Sequence, residues 1–277
     1  STLAAHVHKN RLISLAISMT STVWRLIEDH QQSGTFNMAA DQILLNQFNP
    51  GDPPVFRLYT WNTLTLTVGK NQKIDQHINT EWCQSQGISI IRRSTGGKAV
   101  LHGSDLTYSI VGDVRDSLFS KGILETYKTI SQGFIRFFQV LGLEPEIQPV
   151  LQRAEAASPV CFVVPSAFEL LINGKKIIGS AQRQTPKSFL QHGTIPVYNH
   201  IPILSNIFLD VSADALRNGI TSLEEQTILD RYSLPQINDL LKSSLCQTFQ
   251  NTWDIRSWSA EELAAIQKEQ SQFLPIC

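Results

Sequence analysis

Arg92-Arg93-Ser94-Thr95-Gly96-Gly97-Lys98-Ala99-Val100-Leu101-His102 sets two arginines, two hydroxyls and two glycines directly before an apolar run. Glycines let a ligand approach backbone amides without steric obstruction, and arginines hold an anion or orient a carbonyl. The same composition also describes a tight turn whose arginines are solvated. Taken alone, the residues leave both readings open. β-rich runs surround the segment: Ser89 to Arg92, Ala99 to Leu101 and Leu106 to Val111 each read as a strand.

Toward the N-terminus, Met38, Leu44, Leu45 and Phe48 recur at near-helical spacing between Phe36 and Phe48, and Asn49-Pro50-Gly51 ends the pattern. Val55-Phe56-Arg57-Leu58-Tyr59 and Leu64-Thr65-Leu66-Thr67-Val68, separated by Trp61-Asn62, resemble an antiparallel pair. Toward the C-terminus, Leu124, Tyr127, Ile130, Phe134, Phe137, Phe138 and Leu141 form one wide apolar helical face that stops before Gly142. Phe168 to Ile172, then Asn173-Gly174, then Lys175 to Ile178 predict a β-hairpin, because Asn-Gly tolerates the positive φ angles of a two-residue turn. A strand is expected near Gly193 to Tyr198. After Asn199 the character turns helical: Leu234-Pro235 opens one helix, and Ser259 with Glu262 makes the capping box of another. A helical C-terminal unit is expected to begin between His200 and Ala213.

A chain of 277 residues with a 42% apolar fraction can build a packed core of one large domain and a smaller appendage. Its formal charge of -1 supplies no global field for nucleic acid. Cys83, Cys161, Cys246 and Cys277 are widely spaced without a Cys-x-x-Cys pair, so they suggest neither a structural zinc site nor a disulfide framework, and reduced thiols in a cytoplasmic protein are expected. No stretch approaches the roughly 20 apolar residues of a membrane span. Lys9-Asn10-Arg11 before Leu12 to Met19 only weakly imitates a signal peptide. Residues 1–18 are instead read as an upstream extension outside the fold. None of the pairs Gly69-Lys70, Gly97-Lys98 and Gly174-Lys175 has a glycine five residues earlier or a following Ser or Thr, so there is no Walker-type phosphate loop, and no Gly-x-Gly-x-x-Gly occurs.

The block from Arg92 to Ile110, RRSTGGKAVLHGSDLTYSI, resembles a motif of the lipoate-ligase and biotin-ligase superfamily that lines an acyl-binding pocket. NGKKIIGSAQRQ from Asn173 to Gln184 and LQHGTIPV from Leu190 to Val197 resemble two further blocks of that superfamily in the same order, as does WRLIEDHQQSGTFNMAADQ from Trp24 to Gln42. Ser158-Pro159-Val160-Cys161-Phe162-Val163-Val164-Pro165-Ser166-Ala167-Phe168-Glu169 is similar to the segment of the lipoate-ligase-like octanoyltransferases in which a cysteine carries the acyl group. ATP-dependent lipoate ligases have an Asn-Asp pair near the place where Phe168-Glu169 stands here. Lys98 and Gly103-Ser104 depart from the family pattern, the latter where an acidic residue follows the histidine.

The resemblance implies an α/β, class-II-synthetase-like biotin/lipoate ligase catalytic domain with a mixed antiparallel sheet over residues 19–205, followed by a helical C-terminal extension over 206–277. It implies octanoyl transfer in lipoate biosynthesis, from acyl carrier protein to a lysine of a lipoyl-domain protein such as the glycine-cleavage H protein, without a cofactor. Cys161 and Lys176 are the implied catalytic pair. Arg92, Arg93, Ser94, Gly96, Gly97, His102, Gly179, Ser180, His192 and Gly193 are the candidate substrate-binding residues; no metal site is expected. By chemistry alone, a cysteine among apolar residues is ordinarily an inert core thiol, but a nearby ammonium lowers a thiol pKa and makes a nucleophile of it. Lys175 and Lys176 are adjacent on a strand and face opposite sides, and the family match turns Lys176 inward. His102 and His192 suit either core hydrogen bonds or pocket roles. Competing expectations are an amidotransferase between lipoyl domains, an ATP-dependent ligase, and a non-catalytic binder of lipoyl domains or acyl carriers.

Overall fold

The computed structural model describes residues 22–148 and 169–276. Residues 1–18, Cys161 and Cys277, on which three of the expectations fall, lie outside them. In chain order, β1 (Thr22–Gln32) is followed by α1 (Gly34–Gln47), β2 (Val55–Trp61), β3 (Thr65–Val68), α2 (Thr80–Ser85), β4 (Ser89–Arg92), β5 (Val100–His102), β6 (Asp105–Asp113) and α3 (Ile123–Val140). Then come β7 (Pro145–Ile147), β8 (Leu170–Ile172), β9 (Lys175–Lys176), β10 (Gly179–Gln184), β11 (Ser188–Pro196), α4 (Ile201–Ile207), α5 (Ala213–Gly219), α6 (Leu234–Phe249), β12 (Asn251–Ile255) and α7 (Ala260–Glu269).

The central sheet has six strands in the order β10-β11-β6-β2-β1-β12. Neighbours from β10 to β2 are antiparallel, whereas β1 runs parallel to both β2 and β12. The fold is thus the expected mixed α/β class. Strand periodicity separates its two faces, since successive side chains point to opposite sides. Leu26, Phe56 and Ile110 meet Phe134, Phe137 and Phe138 of α3 and Leu241 and Leu245 of α6. Their neighbours Ile27, Val55 and Val111 meet Leu44, Leu45 and Phe48 of α1 on the opposite face. Each large apolar side chain so buried contributes about 1.5–3 kcal/mol relative to exposure. A smaller sheet, β4-β3-β5, packs Leu66, Val68 and Ile90 against Ile201 and Leu204 of α4 and Leu216 of α5.

Local signals place several elements as expected. Ser33 caps α1 by accepting from the amide of Phe36 at 3.1 Å, and Ser259 with Glu262 forms the reciprocal capping box of α7. Asn173 and Gly174 have φ values of 52° and 73°, as a type I′ turn requires, and Leu171 pairs with Lys176. The strand expected at Gly193 starts earlier, at Ser188. Among the described residues no helix is long and apolar enough to cross a membrane.

Two expectations change. The runs 55–59 and 64–68 do not pair: β2 lies in the central sheet, while β3 pairs with β4 and β5 of the smaller one. Trp61 closes β2 by donating its indole N–H to Thr107 of β6 at 2.8 Å, and the chain then crosses to the other sheet. The C-terminal region is also not wholly helical, because β12 returns to the central sheet beside β1. Trp253 of β12 stacks on Phe56 with centroids 5.6 Å apart, and Trp24 of β1 stacks on Phe249 of α6 at 5.0 Å.

Arg57 on β2 is fully buried and ties the sheet to α1. Its Nε donates to Asp29 at 2.7 Å, Nη1 to Asp41 at 2.9 Å and Nη2 to the Asn37 side chain at 2.7 Å. Arg57→Met leaves two buried carboxylates without their cation, and the expected loss of stability is about 3–5 kcal/mol, read from urea unfolding.

Candidate functional site

A cavity opens where the two sheets face each other. Tyr59, Thr107, Ser180, His192 and Gly193 form its wall on the central sheet, and Thr67, Arg93, Val100 and His102 its wall on the smaller sheet; Met38 of α1 completes it. Of the nominated binding residues, Arg93, His102, Gly179, Ser180, His192 and Gly193 line this space. Arg92, Ser94, Gly96 and Gly97 do not. Arg92 turns away and donates to the carbonyl oxygens of Gly69 at 2.7 Å and Gln72 at 2.8 Å. A second cavity, behind Asp105 and Thr194, is lined by Leu101, Pro196, Leu204 and Ile220 and holds none of the nominated residues.

Close approach explains the glycines. A Cβ on Gly193 would stand 2.6 Å from the Gly179 carbonyl oxygen and 2.7 Å from the Tyr108 ring, so only glycine lets β11 pass β10 there. Gly97 has φ of 86°, and its carbonyl oxygen would lie 1.9 Å from a Cβ on Gly69. The loop from Ser94 to Lys98 is therefore pressed onto the end of β3.

Each histidine of the cavity is backed by a carboxylate. His192 Nδ1 lies 2.9 Å from Asp41 Oδ2, and its Nε2 lies 2.6 Å from Thr95 Oγ1. His102 Nδ1 lies 2.7 Å from Asp105 Oδ2, and its Nε2 lies 2.9 Å from Thr67 Oγ1. Burial holds His192 below its ordinary imidazole range, against the opposing pull of Asp41. Because a carboxylate only accepts, the neutral His192 ring carries its proton on Nδ1 and receives the Thr95 hydroxyl at Nε2. Burial alone would raise Asp41, but hydrogen bonds from His192 and Ser109 and the charge of Arg57 hold it below its usual value. Asp105 is held low in the same way, against its burial, by His102, the Thr194 hydroxyl and the Gly103 amide. Burial lifts the Tyr59 phenol well above its normal range, with Asp41 adding to the shift, and pushes Tyr108 up to about 12. The walls are thus polar in detail but settled in charge.

Asp41, Asp105, Thr67 and Thr95 were not nominated from the sequence. The acid missing at Gly103-Ser104 is supplied by Asp105, and a lone aspartate among Met38, Ala39, Ala40 and Ile43 was the available sign of Asp41. Lys176 points inward as expected: its side chain is fully buried, with Nζ 2.5 Å from Glu169 Oε1. It is not part of the cavity lining, but Gly179 and Ser180, three and four residues on, are. Cys161 lies outside the described residues. Among the described residues no group of three or more His, Cys, Asp or Glu side chains is placed to hold a metal ion.

The family model of the lipoyl protein ligase A/B catalytic domain matches residues 33–245. Relatives named octanoyltransferase LipM are similar: one from Brevibacillus brevis is 35% identical over 212 residues, covering 74% of this chain and 77% of the relative. One from Anoxybacillus flavithermus is 37% identical over 197 residues, covering 69% and 71%. One from Carboxydothermus hydrogenoformans is 41% identical over 175 residues, covering 63% of this chain and 65% of the relative, a little under two thirds of its length. Among solved structures, a lipoate-protein ligase A bound with ATP superposes with a TM-score of 0.75 at 20% identity, covering 91% of this chain and 95% of the other. A bi-partite lipoate protein ligase from Thermoplasma acidophilum gives 0.74 at 19% identity, covering 91% and 93%. These structures share the fold.

The lowered His192 has a sign. Between its ordinary pKa, 6.5, and its lower value in the fold, the unfolded chain binds a proton that the folded chain does not, so stability falls as pH drops through that window. The melting temperature is expected to decline below about pH 6.5. His192→Gln should flatten that decline; an unchanged slope would contradict the assignment.

Proposed function

The chain belongs to the lipoyl protein ligase A/B catalytic-domain family, and on that footing we propose that it is an octanoyltransferase of lipoate biosynthesis. It takes the octanoyl group from acyl carrier protein and passes it to a lysine of a lipoyl-domain protein, with the H protein of glycine cleavage as the representative acceptor. Cys161 carries the acyl group as a thioester between the two steps. The observation that supports this most is the similarity of 35–41% to octanoyltransferases, together with a cavity whose lining cation, Arg93, is already bonded to carbonyl and hydroxyl oxygens of the protein. An uncharged acyl chain enters such a space without stranding a charge, and its own apolar surface contributes about 0.8 kcal/mol per buried methylene.

In the first step the Cys161 thiolate attacks the thioester carbonyl of the donor. The carbonyl oxygen becomes an oxyanion, which collapses as the donor sulfur departs as a thiolate, and one thioester replaces another of similar energy. In the second step the acceptor amine attacks, the bond to Cys161 breaks, and a stable amide forms. The proton lost by the amine goes to the leaving sulfur. Lys176 is the group suited to carry it, and as an ammonium it would hold the thiolate between steps. Backbone amides at Gly179-Ser180 or Gly96-Gly97 suit the oxyanion. The donor thioester already stores the energy of the amide bond, so adenylation has no step to drive.

Intact-mass analysis after mixing with octanoyl carrier protein decides the reading. Wild type should gain one octanoyl group without ATP, and Cys161→Ala should gain none and lose transfer by about a thousandfold or more. A gain that requires ATP would instead indicate a ligase. Lys176→Met should slow acylation by about 10²–10⁴-fold, measured in single turnover; wild-type rates in that variant would remove Lys176 from the chemistry.

A further inference from the structure

Arg93 sits against the cavity, yet the protein itself uses its guanidinium. The residue is 5% exposed. Nε donates to Thr95 Oγ1 at 3.1 Å; Nη1 faces the Thr67 carbonyl at 3.2 Å and its Oγ1 at 3.4 Å; Nη2 donates to the carbonyl oxygens of Gly96 at 2.7 Å and Lys98 at 2.8 Å. Each threonine that it meets leads to a histidine, and each histidine to a carboxylate. One line runs Arg93, Thr95, His192, Asp41 and ends in the central sheet and α1. The other runs Arg93, Thr67, His102, Asp105 and crosses from the smaller sheet to β6. Two lines anchored in different elements therefore meet on one guanidinium.

We propose that Thr67 and Thr95 are positioning residues that couple the two His-Asp pairs to Arg93 and thereby fix the loop from Ser94 to Lys98 at the edge of the acyl cavity. A threonine hydroxyl donates once and accepts twice, so it can serve an imidazole and a guanidinium together. Valine has the same shape and can serve neither. The loop is held from below as well: a Cβ on Gly97 would lie 2.8 Å from Arg93 Nη2 and 3.8 Å from Ala181 of the cavity wall. Arg93 thus acts on the acyl donor through the place of this backbone, and an anion at the loop would have to displace a bond already made.

The test compares Thr67→Val, Thr95→Val, the double variant, and the Thr→Ser change at each site. Its kinetic arm rests on the octanoyltransferase reading; its second arm, hydrogen exchange of the Gly96 and Gly97 amides, does not. Each valine is expected to lower kcat/KM for octanoyl carrier protein by about tenfold, mainly through KM, as loss of a buried hydrogen bond predicts. Because both bonds hold one group, the double variant should lose about ten- to twentyfold rather than the hundredfold product of independent sites. Serine should restore activity to within about twofold, since it keeps the hydroxyl. Loop exchange should quicken in the valine variants and stay slow in the serine ones. A multiplicative double loss, serine as harmful as valine, or unchanged loop exchange would each overturn the coupling. If wild type transfers no octanoyl group, the functional reading fails, and the exchange arm alone decides the coupling.

Discussion

A carboxylate in a protein interior must be matched by donors and by positive charge, because an isolated buried anion is too costly to keep. Asp41 meets that demand with four side chains from three strands at once. Its oxygens receive Arg57 from β2 at 2.9 Å, Tyr59 of the same strand at 2.9 Å, Ser109 from β6 at 2.8 Å and His192 from β11 at 2.9 Å. Helix α1 can therefore dock on the central sheet in only one register, the one that puts this carboxylate over these donors. Apolar contacts from Leu44, Leu45 and Phe48 tolerate small shifts, whereas a displaced charge does not. The orientation of His192, and through it one wall of the cavity, follows from that docking.

The cavity is the seam between two sheets, and its chemistry follows from how the seam is closed. Hydrogen bonds cross it at His192 to Thr95 and at His102 to Asp105, while Trp61 stacks on His102 with centroids 4.1 Å apart. The polar groups at these crossings are bonded within the protein, so the walls present dipoles, apolar surface and the Arg93 guanidinium already held by backbone and threonine oxygens. This suits a long acyl chain, whose binding would be opposed by any polar wall that water had to leave unpaired. Gly193 and Gly97 matter for the same reason: they let backbones come close enough for the side chains behind them to meet.

Elements governed by local chemistry could be read from the residues. The Asn173-Gly174 turn, the Ser259-Glu262 capping box and the apolar stripe of α3 each carry their own signal, and each stands where that signal puts it. β1 has no such signal: it is covered on both faces, so Trp24 to Ile27 are all buried and show no alternation. β12 and the partners of β3 are set by contacts distant in sequence, which no spacing rule encodes. At the site, the glycines and histidines were legible through motif resemblance, but the carboxylates behind them were not. A second-layer acid is recognised by the depth at which it is buried, and a sequence does not state depth.

The hairpin that carries Lys176 shows how a local turn can govern a buried charge. Lys176 lies opposite Leu171, and Glu169, two residues before it, shares that face, so the long side chains meet on the diagonal. Leu170, Ile172, Ile177 and Ile178, beside them in the chain, are buried core residues. Glu169 sets a carboxylate oxygen 2.5 Å from Nζ, and both side chains are fully buried. The pairing depends on register, because a one-residue slip sends every side chain of a strand to the opposite face. Such a slip would bring Lys175 inward and turn Lys176 out. The two positive φ angles at Asn173 and Gly174 fix the turn at two residues, and so it is a backbone preference, set well away from the cavity, that decides which of two adjacent lysines is buried.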